Sequence, residues 1–210
     1  SAFLLLANIF IDAAAALYAG GTIVQVLFPQ IPLWVTIAVT SGIGGLYIVV
    51  GGLRAVVLND AVQAFMILLG GSVLALLTWQ ALPSWEAVHS AMPAHAMRLI
   101  KPADDPTMPG PGLVTGVLVI GIYFWCTNQF VIQRALGAAD LNQARWGALL
   151  AGFLKLPNLF LLVLPGVMAV ALYPDLSRPD LVFPTLVFDL LPVGLRGLML
   201  AALAAAILSS

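Results

Sequence analysis

Long apolar stretches, interrupted at a few places by clusters of proline and polar residues, dominate the chain. A charge-free run can cross a bilayer where it holds about 20 apolar residues. No charge occurs between Asp12 and Arg54, yet Phe28-Pro29-Gln30-Ile31-Pro32 interrupts that run. Two prolines so close end a helix and predict a tight turn. The pattern therefore predicts spans over 2–27 and 33–50, followed by a short connection at 51–59 that carries Gly51-Gly52 and Arg54. A third span is expected over 60–79. Residues 80–112 read as a polar, proline-rich extracellular loop with a short surface helix around Trp85–Met92. Further spans are expected over 113–133, 146–172 and 195–210, making six in a single membrane domain over 1–210.

Composition supports the same class. Charged residues make up 8% of the chain and hydrophobic ones 62%, with a mean hydropathy of +1.08. Soluble domains carry about 25% charged and roughly 45–50% apolar residues. Such a chain cannot cover itself with a water-facing surface, so an all-α integral membrane protein with the lipid bilayer as its solvent is expected. Eight Lys/Arg against nine Asp/Glu give a net charge of -1, which offers no basic footprint and excludes nucleic acid as a partner. The single cysteine, Cys126, excludes an internal disulfide framework and a multi-cysteine metal site. No G-x-S-x-G, H-E-x-x-H, P-loop or G-x-G-x-x-G motif occurs, so no enzyme chemistry and no cofactor are expected. Ser1 leads directly into an apolar run, which reads as a chain without a signal peptide and as part of a longer protein.

Charge also orients the spans. The short connections at 51–59 and 134–145 hold Arg54, Arg134 and Arg145 against Asp140 alone. The longer loops hold Arg98, Lys101 and Arg178 among Glu86, Asp104, Asp105, Asp175 and Asp180. The short connections are therefore expected in the cytoplasm. Small residues recur at Gly20-Gly21, Gly42, Gly44-Gly45, Gly70-Gly71 and Ala201 to Ala206, which lets helices approach closely.

Polar groups inside a span are costly and point to function. Lys155 lies roughly 14 Å inside the fifth span at ~1.5 Å per residue. It reads either as a snorkelling lysine near a helix end or as a lysine lining a polar cavity. Asp12, mid-way along the first span, is its available intramembrane partner. The fourth span carries Gly121-Ile122-Tyr123-Phe124-Trp125-Cys126-Thr127-Asn128-Gln129. Aromatic faces followed by polar side chains suit a sugar, with an interfacial aromatic belt as the alternative. With Gly116 and Gly121 upstream, a locally opened helix is expected there, and transporters place solute sites at such breaks. Ala206, Ser209 and Ser210 share one helix face. Two hydroxyls and a backbone carbonyl suit a hard monovalent cation, although such hydroxyls also bond back to the preceding turn. Asp60 beside Asn59 reads as a helix N-cap.

Several blocks, in order along nearly the whole chain, resemble the sodium:solute symporter family, its sodium/glucose cotransporter branch in particular. They are Gly51-Gly52-Leu53-Arg54-Ala55-Val56-Val57 leading to Asp60 and Gln63, Tyr123 to Gln129 running on to Gln133-Arg134, and Gly152-Phe153-Leu154-Lys155-Leu156 with Leu164-Pro165-Gly166. Pro184-Thr185-Leu186 and the stretch from Leu191-Pro192 through Gly194-Leu195-Arg196-Gly197 to Ser210 complete the set. The resemblance implies a leucine-transporter-type inverted-repeat helix bundle in which the six spans correspond to the third through eighth core helices. It implies sodium as the coupling ion, held by the Ala206 carbonyl and the Ser209 and Ser210 hydroxyls, with Asp60 on the cation's path to the cytoplasm. Lys155 matches a lysine that hydrogen-bonds sugar in a bacterial member, and Phe124 aligns with a tyrosine that stacks on the sugar. Two departures stand out: Gly121 replaces a sugar-binding asparagine, and Phe124 lacks the tyrosine hydroxyl. With Tyr123 beside them, these residues form the expected solute site. The expected function is sodium-coupled symport of a small polar solute, a sugar first, in a plasma membrane of the bacterial inner-membrane type. A polyol or organic acid as the solute, or a sensor that does not transport, are the alternatives. The first, second, ninth and tenth core helices fall outside these blocks, so the segment by itself is expected not to transport.

Overall fold

Helices in this chain begin and end where proline, glycine and capping side chains require it. The computed structural model describes residues 2–93, 96–98, 100–106, 108–176 and 178–208. Among these residues every regular element is helical. Helix α1 (Ala2–Leu27) stops at the expected proline turn, where Ile31 N–H donates to Phe28 O at 3.0 Å and Val35 N–H to Pro32 O at 3.0 Å.

Helix α2 (Leu33–Ala81) departs from expectation. The connection expected over 51–59 is reduced to one residue, Gly52, whose φ of 58° and ψ of -167° interrupt an otherwise helical course. That backbone region is essentially open to glycine alone, so one residue redirects the chain and no loop is needed. Gly51 contributes too, because a β-carbon there would collide with that of Ala55. As a consequence Asp60 lies inside a helical stretch, half-buried. The N-cap reading of Asp60 is therefore corrected: no helix starts there, because the break falls at Gly52 instead.

The surface helix expected near Trp85 is α3 (Trp85–Ala91), whose N-cap Ser84 accepts from the Ala87 N–H. Helix α4 (Gly110–Ile122) runs into a π-helical segment, Tyr123–Thr127, and then α5 (Gln129–Leu136). Helix α6 (Leu141–Asn158) is capped by Asp140, which accepts from the Gln143 N–H at 2.8 Å. A second π-helical segment, Leu159–Val163, joins it to α7 (Leu164–Leu172). A short 3₁₀ turn, Pro179–Leu181, introduces α8 (Val182–Leu190), an element absent from the sequence reading. It is too short to span a membrane, but Pro184, Leu186 and Val187 are buried. Helix α9 (Val193–Leu208) follows Pro192.

Among the described residues three helical stretches are long and apolar enough to cross a membrane: Leu33–Ala81, Gly110–Thr127 and Leu141–Leu172. The chain divides into two units, Ser1–Thr78 with Leu176–Ser210 and Trp79–Asp175. In the first, α1 and α8 both pack on α9, and Leu74, Leu186, Val187, Leu191, Met199 and Ala202 are buried. In lipid no hydrophobic force draws helices together, so close backbone approach and van der Waals contact must hold them. Gly70 supplies such an approach, lying directly beneath Met199. In the second unit α3 docks on α7, with Val88 buried on one side and Pro165, Met168 and Ala169 on the other.

Candidate functional site

The fourth expected span is built around an interruption. The Asn128 N–H donates to Tyr123 O at 2.9 Å, five residues back, and the Thr127 hydroxyl donates to the same carbonyl at 2.9 Å. Asn128 then leaves the helix with φ -67° and ψ 119°, and its side chain accepts from the Phe130 N–H to start α5. The interruption therefore belongs to Asn128, a residue suited to capping, and not to glycine. Gly121 sits in regular α4, half-buried, and a β-carbon built on it would meet nothing within 4 Å. Segments of π-helix occur frequently at functional sites.

The fifth span shows a parallel disturbance. Pro157 lies inside α6 and Pro165 opens α7, each lacking the N–H that would continue the helical ladder. Between them the Leu164 N–H reaches back to Leu159 O. Lys155 stands in the last turn of α6, just ahead of this disturbance.

The fold brings the lysine and the aromatic run together. Lys155 Nζ lies 5.9 Å from the centre of the Phe124 ring and 5.6 Å from that of Trp125. The two rings meet edge to face, 5.4 Å apart with an interplanar angle of 85°. Both distances lie within the roughly 6 Å range of a cation–π attraction. Tyr123, Phe124, Trp125 and Lys155 are all exposed. The arrangement thus offers an ammonium donor beside accessible ring faces, which suits a solute with hydroxyls on its edge and an apolar face. Trp125 was not among the expected site residues. Its signal was present in the aromatic triplet, but sequence spacing could not say which ring would lie near the lysine.

The other expected site residues fall elsewhere. Asp12 is exposed on α1 and belongs to the first unit, whereas Lys155 belongs to the second. Ala206 is half-buried on α9. Ser209 and Ser210 lie outside the described residues. Among the described residues no group of three or more His, Cys, Asp or Glu is positioned to hold a metal ion.

Comparison with known proteins places this geometry in context. The sodium:solute symporter family matches residues 1–210. A sodium/mannose cotransporter of Bos taurus is 30% identical over 98% of the chain and 40% of its own length. Sodium/myo-inositol cotransporter 2 of Mus musculus is 32% identical over 96% of the chain and 35% of its own length. Sodium/glucose cotransporter 4 of Danio rerio is 29% identical over 92% of the chain and 35% of its own length. The chain therefore spans 35–40% of the length of these relatives. A full-length family match, relatives that are cotransporters and not enzymes, and apolar helices of spanning length lead to one conclusion: the chain belongs to the sodium:solute symporter family and is part of a multi-pass membrane protein.

Proposed function

We propose that this chain is the central part of a sodium-coupled symporter that moves a small polar solute, a sugar first, by alternating access. The observation that carries the solute assignment is Lys155 Nζ beside the Phe124 and Trp125 rings. A sugar presents hydroxyls to the ammonium and its C–H face to an aromatic ring. The inward sodium gradient would supply the work, with about 2.3 kcal/mol per charge for each 100 mV of potential. In this reading Ala206, Ser209 and Ser210 hold sodium, Asp60 serves its path to the cytoplasm, and Tyr123 and Gly121 shape the solute site beside Phe124. The fold is proposed to be the leucine-transporter type, with these spans as its third to eighth core helices, in a bacterial inner membrane.

A polyol is the second reading, supported by the similarity to relatives named for myo-inositol. A cyclic polyol has the same ring of hydroxyls, so Lys155 does not separate the two. The test is sodium-dependent uptake by the full-length protein in proteoliposomes, with D-glucose, D-mannose, myo-inositol and a small carboxylate. Sodium-driven accumulation of a sugar supports the first reading, and accumulation of myo-inositol alone moves the assignment to a polyol. Uptake of none, or uptake indifferent to sodium, overturns the proposal.

A further inference from the structure

The geometry points to Trp125 as a positioning residue that pre-orders Lys155 for the solute. This inference rests on the reading of Lys155 as a solute ligand and adds a residue acting through it. A lysine side chain has four rotatable carbon–carbon bonds, and ordering it costs up to about 2 kcal/mol of rotamer entropy. Lys155 is exposed, so burial does not hold it in place. Its ammonium nevertheless rests near two ring faces, and the Trp125 ring is the nearer one at 5.6 Å. Tryptophan has the strongest cation-attracting face of the aromatic side chains. The Trp125 ring is itself oriented by its edge-to-face contact with Phe124.

Local backbone structure makes this possible. In a regular α-helix, consecutive side chains such as Phe124 and Trp125 diverge by about 100°. Here both lie in the widened segment Tyr123–Thr127, where the backbone is held by the bonds from Asn128 and Thr127 to the Tyr123 carbonyl. One ammonium can then lie near both rings. The solute would meet a lysine already aimed, and less ordering entropy would be lost on binding.

The discriminating experiment is a double-mutant cycle in the full-length protein, read as half-saturation of sodium-driven D-glucose or myo-inositol uptake. Trp125→Leu is expected to raise the half-saturating solute concentration about two- to fivefold, with the maximal rate and the sodium half-saturation unchanged. Trp125→Phe, which keeps a weaker face, is expected to fall between, and it carries the comparison if the leucine variant does not fold. In a Lys155→Met background neither Trp125 substitution should raise the value further. An equal rise in both backgrounds, or no rise with Lys155 present, overturns the inference while leaving Lys155 as a solute ligand. A Lys155→Met variant with unchanged half-saturation overturns the underlying reading and the inference together.

Discussion

Met199 occupies the space in which Gly70 would carry a β-carbon, its sulfur and Cγ both lying within bonding-clash distance of that position. Met199 is fully buried, so moving its side chain aside would disturb the packing around it. Gly70→Ala is expected to destabilise the α2–α9 contact by about 1–3 kcal/mol, the usual cost of overpacking. A thermal unfolding series in detergent would show the loss. Combining Gly70→Ala with Met199→Ala should cost less than the sum of the single substitutions, because truncating Met199 makes room for the added methyl and that methyl fills part of the cavity left behind. Additive losses would argue against the contact.

Gly52 makes a different kind of demand. Its φ of 58° and ψ of -167° lie where any β-carbon is strained, so Gly52→Ala should cost on the order of 1–3 kcal/mol. Gly42 provides the control, because a β-carbon there meets nothing within 4 Å. Gly42→Ala should be neutral or stabilising by up to about 1 kcal/mol. Equal effects at the two positions, measured by thermal unfolding, would contradict the assigned conformation of Gly52.

The docking of α3 predicts protection of the proline-rich loop. Val88 is fully buried and Ser84 caps the helix with a 3.2 Å hydrogen bond from the Ala87 N–H. Val88→Ala should cost about 2 kcal/mol and Ser84→Ala about 1 kcal/mol. Limited proteolysis should then cut within residues 80–112 faster in both variants, and faster for Val88→Ala.

The cation assignment predicts a separable effect. Ser210→Ala should raise the sodium concentration needed for half-maximal uptake roughly tenfold, as losing an interaction of about 1.4 kcal/mol would. The half-saturating solute concentration at saturating sodium should change little. An unchanged sodium requirement in both Ser209→Ala and Ser210→Ala would count against these hydroxyls as ligands.

Local chemistry explains which features could be read in advance. The turn at Phe28–Pro32 was legible because two prolines within five residues leave a helix no way through. Helix α3 was legible as a short helix between the prolines of the loop, and the structure shows that Ser84 caps it. Helix α8 was not, because a nine-residue segment carrying Pro184 and Asp189 resembles a loop until its buried face finds α9. The continuation of α2 past Gly52 was missed for a related reason. A Gly-Gly pair beside an arginine signals a break, but its length depends on a backbone angle that composition does not report.

What the sequence determined alone is the solvent and the family: 8% charged residues leave lipid as the only medium, and several ordered motif blocks indicate a sodium:solute symporter. It also marked Lys155 and the Tyr123-Phe124-Trp125 run as exceptions to that apolar background. Only the tertiary structure decided that the two exceptions meet. Residues 125 and 155 are separated by the end of the π-helical segment, all of α5, a turn and most of α6, and spacing along the chain carries no information across such a gap. The ammonium stands 5.6 Å from the Trp125 ring because α6 packs against α5 and carries Lys155 in its last turn.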